Sequence, residues 1–430
     1  MKIKLLLALL LIASASAFAQ QQPANRPTMV AGFPVNYSED SVGTYTLPEL
    51  LKTADGQPVT TAKQWTEKRR PELLRLAEEN QFGKMPPRPK DLSFHAFDKG
   101  TPAFGGKAIR KQVTVYFTKD TSDHKMNLLI YLPTKAAGTP VPLLMNISFA
   151  AYNQIIDDTD LRVGEIWNKE GKKVKADKPT PFGKLNVEQF IDAGIGFATV
   201  YYGDIEPDFK DGLQHGIRKT YLKPGQSEPA ADEWGAIAAW GWGLSRAMDY
   251  FETDPQIDSK RVALQGASRL GKTVLWAGIH DPRFKMVIAS ISGEGGAALA
   301  RRNYGETIRH ISDPSRYLYQ FAPKYHSWAD KVNAMPIDAH MLVALMAPRP
   351  LLLQTGSTDY WSDPKGEFLS ALAAAPVYQL FGETAPSAAM PAAGDTSLLM
   401  NHLGYYMHEG GHTVLPEDWK LFVSYMQKYL

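Results

Sequence analysis

From about residue 110 onward, short apolar runs alternate with stretches of helical period. Residues 111–117 alternate apolar and polar positions, as a half-buried strand does. The runs at 126–132, 141–149, 196–202, 262–265, 286–291 and 350–354 are nearly continuous in apolar residues and bounded by turn formers, which predicts strands. Amphipathic patterns at 232–251, 271–278, 366–372 and 416–430 predict helices between and after them. Continuous apolar strands are buried on both faces. The expected fold class is therefore α/β: a three-layer sandwich with a mainly parallel central sheet and helices on both sides. Three stretches break the alternation: 157–179 is charged, 301–338 aromatic and basic, and 373–395 rich in Ala and Pro. Open parallel sheets bind ligands beyond their C-terminal strand ends. These stretches are accordingly expected to be insertions that decorate an active-site face.

The first 19 residues have the pattern of a secretory signal. Lys2 and Lys4 precede a short apolar run, Leu5 to Ile12, and Ala17-Phe18-Ala19 provides a cleavage site ahead of Gln20. That run falls short of the roughly 20 residues a membrane span requires. The expectation is a secreted or periplasmic protein whose residues 20–430 form a single domain, with a loose, proline-rich lead-in over 20–45. The formal net charge is only +2, so no basic field suggests nucleic acid. The chain has no cysteine, which excludes disulfides and thiolate metal sites. No cofactor, no membrane attachment and a monomeric state are expected.

Candidate chemistry centres on Val262-Ala263-Leu264-Gln265-Gly266-Ala267-Ser268-Arg269-Leu270-Gly271-Lys272. A strand ends, a glycine permits a sharp turn, a serine follows and a helix begins; this is the context of a nucleophile elbow. The backbone N–H of Arg269 and the helix N-terminus could both hold a developing oxyanion. Leu270 stands where G-x-S-x-G has its second glycine, and Gly271 comes one position late. The plainer alternative is that Ser268 caps the helix.

A serine needs a base, and the base an orienting acid. His412 lies just ahead of the last predicted helix, where the chain order Ser…Asp/Glu…His expects it. Its segment also spells H-E-x-x-H, a zinc-protease pattern. That pattern requires one helix face, and Gly410-Gly411 would cost a helix about 2 kcal/mol. Asp359, after the late strand at 350–354, is the preferred acid; Asp363 and Glu294 are its competitors.

These residues resemble the glucuronoyl esterases of carbohydrate esterase family 15, within the α/β-hydrolase superfamily. The elbow resembles that family's G-C-S-R-x-G-K signature, with Ala267 in place of cysteine. Residues 292–302, Tyr304-Gly305-Glu306-Thr307, 336–350, 359–368 and 408–419 are similar as well, so the likeness covers most of 110–430. It implies hydrolysis of esters between 4-O-methylglucuronic acid of plant cell-wall xylan and lignin alcohols. It further implies that Arg269 stabilises the oxyanion and that Lys272, Glu306 and Trp361 contact the uronic-acid sugar. One departure stands out: many members carry a catalytic glutamate where this chain has Ile291. Other carbohydrate esterases, such as acetyl xylan esterases, and a non-catalytic sugar-binding relative are the competing readings.

Overall fold

The computed structural model describes residues 26–430 apart from Ala137 and Ala388, so the signal-like segment 1–19 lies outside the described residues. Among these residues the main sheet has nine strands: β1 (Ser93–Ala103), β2 (Ala108–Tyr116), β3 (Lys125–Pro133), β4 (Val141–Ser148), β5 (Gly196–Tyr201), β6 (Ile257–Ala267), β7 (Met286–Ser290), β8 (Leu351–Gly356) and β9 (Leu403–His408). Their spatial order is β9-β8-β7-β6-β4-β5-β3-β2-β1. Neighbours from β9 through β5 are parallel, and β3, β2 and β1 continue antiparallel. The α/β class with a mainly parallel sheet is what the apolar runs indicated.

Successive strand residues face opposite sides of a sheet, and both sides are filled. Leu143, Met145, Val262, Leu264, Leu351 and Leu353 enter one core; Leu144, Ala263 and Leu352 enter the other. The principal helices are α1 (Arg70–Ala77), α2 (Ala236–Phe251), α3 (Arg269–His280), α4 (Ala339–Ala344), α5 (Pro364–Leu380) and α6 (Pro416–Tyr429). Side chains of α1 through α5 close the first core, and Phe422, Tyr425 and Met426 of α6 close the second. Helix α2 is buried along its whole length.

Several elements depart from the expected pattern. Strand β1 is a polar edge strand, and β9 is a six-residue edge strand, Leu-Gly-Tyr-Tyr-Met-His, buried throughout. Neither shows the long apolar run of a central strand. Helix α1 continues without a break from residues 62–69, which are themselves helical and include a π turn over Trp65–Arg69, so Pro71 lies inside a longer helical run that it masks in the sequence. Helix α5 continues through Pro376 to Leu380, so the insertion expected at 373–395 starts later. Pro376 is solvent-exposed while Ala374, Ala375, Val377 and Tyr378 are buried, so water can satisfy the carbonyl that the proline leaves free. The helix stops at Gly382, φ +76°, whose N–H bonds Gln379 O at 3.0 Å.

The lead-in, expected to be loose, is pinned from residue 26 onward. The Arg26 guanidinium lies 3.3 Å from the Tyr360 ring centroid. Asn36 Nδ2 donates to Asn303 O at 2.6 Å, Gly305 N donates to Asn36 O at 2.8 Å, and Lys365 Nζ pairs with Glu39 at 2.6 Å. These polar ties carry no apolar period and so leave no trace in the hydrophobic pattern. They fasten the segment to the 301–338 insertion and to the loop after β8. Among the described residues no helix is long and apolar enough to cross a membrane.

Candidate active site

The strand order brings the candidate residues to one rim. Strands β6, β7, β8 and β9 are adjacent and parallel, with Ala267 level with Ser290, Ser290 with Gln354, and Gly356 with His408. Ser268 follows β6, Asp359 follows β8 and His412 follows β9, so all three leave the sheet at its C-terminal edge. At the elbow, Ser268 has φ +59° and ψ −128°, a strained conformation for a residue with a side chain. Its N–H bonds Ser290 O at 2.9 Å, and its carbonyl accepts from Lys272 N at 3.1 Å. Ser268 occupies the cap position of α3 but makes no side-chain capping bond. Its hydroxyl is thus free of the role that competed with nucleophile.

The glycine spacing now has a steric account. A Cβ on Gly266 would lie 2.4 Å from Leu270 O, so the turn before the serine admits only glycine. A Cβ on Gly271 would lie 2.6 Å from Ser290 O, where α3 rests on the end of β7. Leu270 is fully buried in the core. The close approach in this elbow falls one residue later than in G-x-S-x-G, and the glycine moves with it.

His412 Nδ1 bonds Asp359 Oδ2 at 2.7 Å and Ser362 Oγ at 3.1 Å. Asp359 is 5% exposed, whereas the His412 side chain is 43% exposed; both of these bonds fall on its Nδ1. The turn that carries His412 is itself fixed. Thr358 N bonds Gly410 O at 2.8 Å, and a Cβ on Gly356 would lie 2.4 Å from Gly411 O, so the turn sits directly on the end of β8. Beneath it, His408 Nδ1 bonds Asp418 Oδ2 at 2.8 Å and His408 Nε2 bonds Gly411 O at 3.2 Å. Burial alone would lower the His408 pKa, but Asp418 outweighs it and holds the ring above the usual histidine range. The H-E-x-x-H segment therefore spans a strand end and a turn, with both nitrogens of its first histidine already bonded.

The competing acids lie elsewhere. Asp363 pairs with Arg302 at 2.9 Å and caps α5 by accepting from Gly366 N at 2.9 Å. Glu294 is 2% exposed and accepts from Tyr325 OH at 2.9 Å; it makes no bond to His412. Burial pushes its carboxyl up to about 8, only partly opposed by the Tyr325 bond. An acid with a folded-state pKa above its ordinary value stabilises the fold at low pH and loses that contribution as pH climbs from about 4.5 towards 8. Glu294→Gln, which keeps an acceptor for Tyr325, is expected to flatten the fall in melting temperature between pH 5 and pH 8. Melts across that range that parallel wild type would show that Glu294 ionises normally.

Around the elbow lie the residues expected to touch substrate. Arg269 pairs with Asp208, a residue the sequence reading did not single out. Lys272 is 7% exposed and, among the described residues, has no carboxylate within ion-pair distance. Burial lowers its pKa, and Glu306 exerts the largest opposing charge. Glu306 pairs with Arg316 at 2.8 Å, and its N–H bonds Trp361 O at 2.8 Å. Arg316, also missed, lies 5.1 Å from the Trp361 ring centroid and so links the two. Lys272, Glu306 and Trp361 thus converge beside the elbow, although they come from α3, the 301–338 insertion and the loop after β8. Ile291, where a catalytic glutamate could have stood, is 3% exposed with φ +42° and donates its N–H to Gln354 O at 2.6 Å.

A family model described as "Glucuronyl esterase, fungi" matches residues 229–382, which include the elbow and Asp359. A carbohydrate esterase, MZ0003, from an unknown prokaryotic organism is 42% identical over 403 residues, covering 92% of each chain. The structure of a glucuronoyl esterase from Solibacter usitatus superposes with a TM-score of 0.85 at 42% identity, covering 91% of this chain and all of the other. A glucuronoyl esterase of family CE15 from Teredinibacter turnerae follows at 32% identity and a TM-score of 0.77, covering 92% of both. Identity at this level across nearly the whole length, on the same α/β-hydrolase architecture, shows that the chain belongs to the glucuronoyl esterases, carbohydrate esterase family 15.

Proposed function

We propose that this protein hydrolyses 4-O-methylglucuronoyl esters, such as the lignin–carbohydrate linkages of glucuronoxylan, by serine acyl transfer. The observation that carries the mechanism is the 2.7 Å bond between His412 and Asp359 on the sheet edge that also presents the strained, uncapped Ser268. Relatives named 4-O-methyl-glucuronoyl methylesterases, among them one from Schizophyllum commune at 27% identity over 88% of this chain, support the substrate class. In this reading Asp359 holds the imidazole with Nε2 towards Ser268. Ser268 Oγ attacks the ester carbonyl as Nε2 takes its proton, and the oxyanion is met by Arg269. Nε2 then returns the proton to the departing alcohol. Water repeats the sequence on the acyl-enzyme and releases the uronic acid. Lys272, Glu306 and Trp361 supply a cation, a carboxylate and an aromatic face for the sugar ring. The signal-like N-terminus supports export, which would place the enzyme where such polysaccharides occur.

The test is hydrolysis of benzyl glucuronate by wild type, Asp359→Ala and Glu294→Ala, with an acetylated xylan assayed in parallel. Asp359→Ala is expected to lose about 10³- to 10⁴-fold in kcat, and Glu294→Ala to stay near wild type. The reverse ranking would make Glu294 the triad acid. Faster turnover of the acetyl ester would move the substrate class to acetyl xylan.

A further inference from the structure

Asp208 lies in the segment after β5, in Glu206-Pro207-Asp208-Phe209, where no motif marks it. Its side chain is 5% exposed, and both carboxylate oxygens are fully engaged. Oδ2 accepts from Arg269 Nη1 and, at 3.0 Å, from Tyr202 OH. Oδ1 accepts from Tyr319 OH at 2.8 Å and from Gln320 Nε2 at 2.9 Å. The donors come from three separate pieces of chain: the turn after β5, the first residue of α3 and the 301–338 insertion. The Arg269 guanidinium lies 4.8 Å from the Tyr317 ring centroid and 5.8 Å from that of Phe149. Among the described residues its Nε and Nη2 have no acceptor.

We propose that Asp208 is the positioning residue for oxyanion binding: it fixes the Arg269 guanidinium so that its remaining N–H groups are already aimed when negative charge develops beside Ser268. The inference rests on the reading of Arg269 given above. A free arginine carries substantial rotamer entropy, and a donor helps a transition state most when it is in place before the charge forms. A carboxylate with four donors from three segments cannot follow a moving arginine; it anchors it. The three neutral donors also draw on the Asp208 charge, so the guanidinium keeps more of its own for the substrate. Ester oxygen gains its charge only in the transition state, so the contribution belongs in kcat and not in KM.

The test compares kcat and KM for benzyl glucuronate in wild type, Asp208→Asn, Asp208→Glu, Arg269→Ala and the two double variants. Asp208→Asn is expected to lower kcat by about 10- to 100-fold, less than outright loss of an oxyanion donor, with little change in KM. In the Arg269→Ala background the same change should cost no more than about twofold, because two residues acting as one unit are not additive. Asp208→Glu keeps the charge but displaces it by one methylene; it should show the same pattern and is the variant to read if Asp208→Asn does not fold. A wild-type kcat in a folded Asp208 variant overturns the inference, as does an undiminished loss in the Arg269→Ala background, which would mean that Asp208 only ties loops together. A wild-type kcat in Arg269→Ala would instead remove the oxyanion reading on which the inference stands.

Discussion

Ser268→Ala is expected to lower kcat for benzyl glucuronate by about 10⁶-fold, near 8 kcal/mol of barrier, with the melting temperature unchanged. The two halves of that expectation have separate causes. In the proposed mechanism the hydroxyl forms the acyl bond, so its loss leaves only what the oxyanion donors and the sugar contacts contribute. The hydroxyl also makes no capping bond, so the start of α3 does not depend on it. Gly266, Gly271 and the Ser268 N–H bond to Ser290 hold the elbow through backbone and space alone. Initial rates on one purified preparation of each protein, with parallel thermal melts, check both halves. A rate within tenfold of wild type would remove Ser268 from the mechanism.

His412→Ala should cost about as much, roughly 10⁵- to 10⁶-fold in kcat, because nucleophile and base act as a unit. The surrounding turn should survive the change. It is held by Thr358 N on Gly410 O and by the His408–Asp418 pair, neither of which involves the His412 ring. With 43% of that side chain exposed, the vacated space opens to solvent, and added imidazole is expected to restore part of the rate in His412→Ala but none in Ser268→Ala. Those rates, with and without imidazole, decide the point. If His412→Ala kept a near-normal rate, the base would have to be sought elsewhere, and the Asp359 pairing would be structural.

What could be read from the residues alone followed the physics of each signal. Central strands were legible because burial on both faces forces continuous apolar runs. The edge strands β1 and β9 were not, since an edge tolerates Asp98 and Lys99 in one case and breaks its apolar run with Gly404 and His408 in the other. Helix α5 was cut short because Pro376 acts as a breaker on paper; in the fold it faces solvent, where the lost hydrogen bond is cheap. Ser268 and His412 were legible through chain order and the small residues beside them. The late glycine looked like a flawed motif until the contact of Gly271 with Ser290 O explained it. Asp208, Arg316 and Ser362 carried no signal at all. Asp208 and Ser362 meet Arg269 and His412 across 61 and 50 residues, contacts that only tertiary packing makes, whereas Arg316 lies 10 residues from Glu306 within one insertion of irregular pattern.

If one serine carries the esterase activity, titrating that serine removes the activity in step with its modification. The protein is treated with a serine-directed fluorophosphonate while intact mass and residual hydrolysis of benzyl glucuronate are followed together. A single adduct, mapped to Ser268, is expected, with activity falling in proportion to labelling until none remains. Activity persisting in fully labelled protein, or its loss through an adduct on another residue, would contradict it.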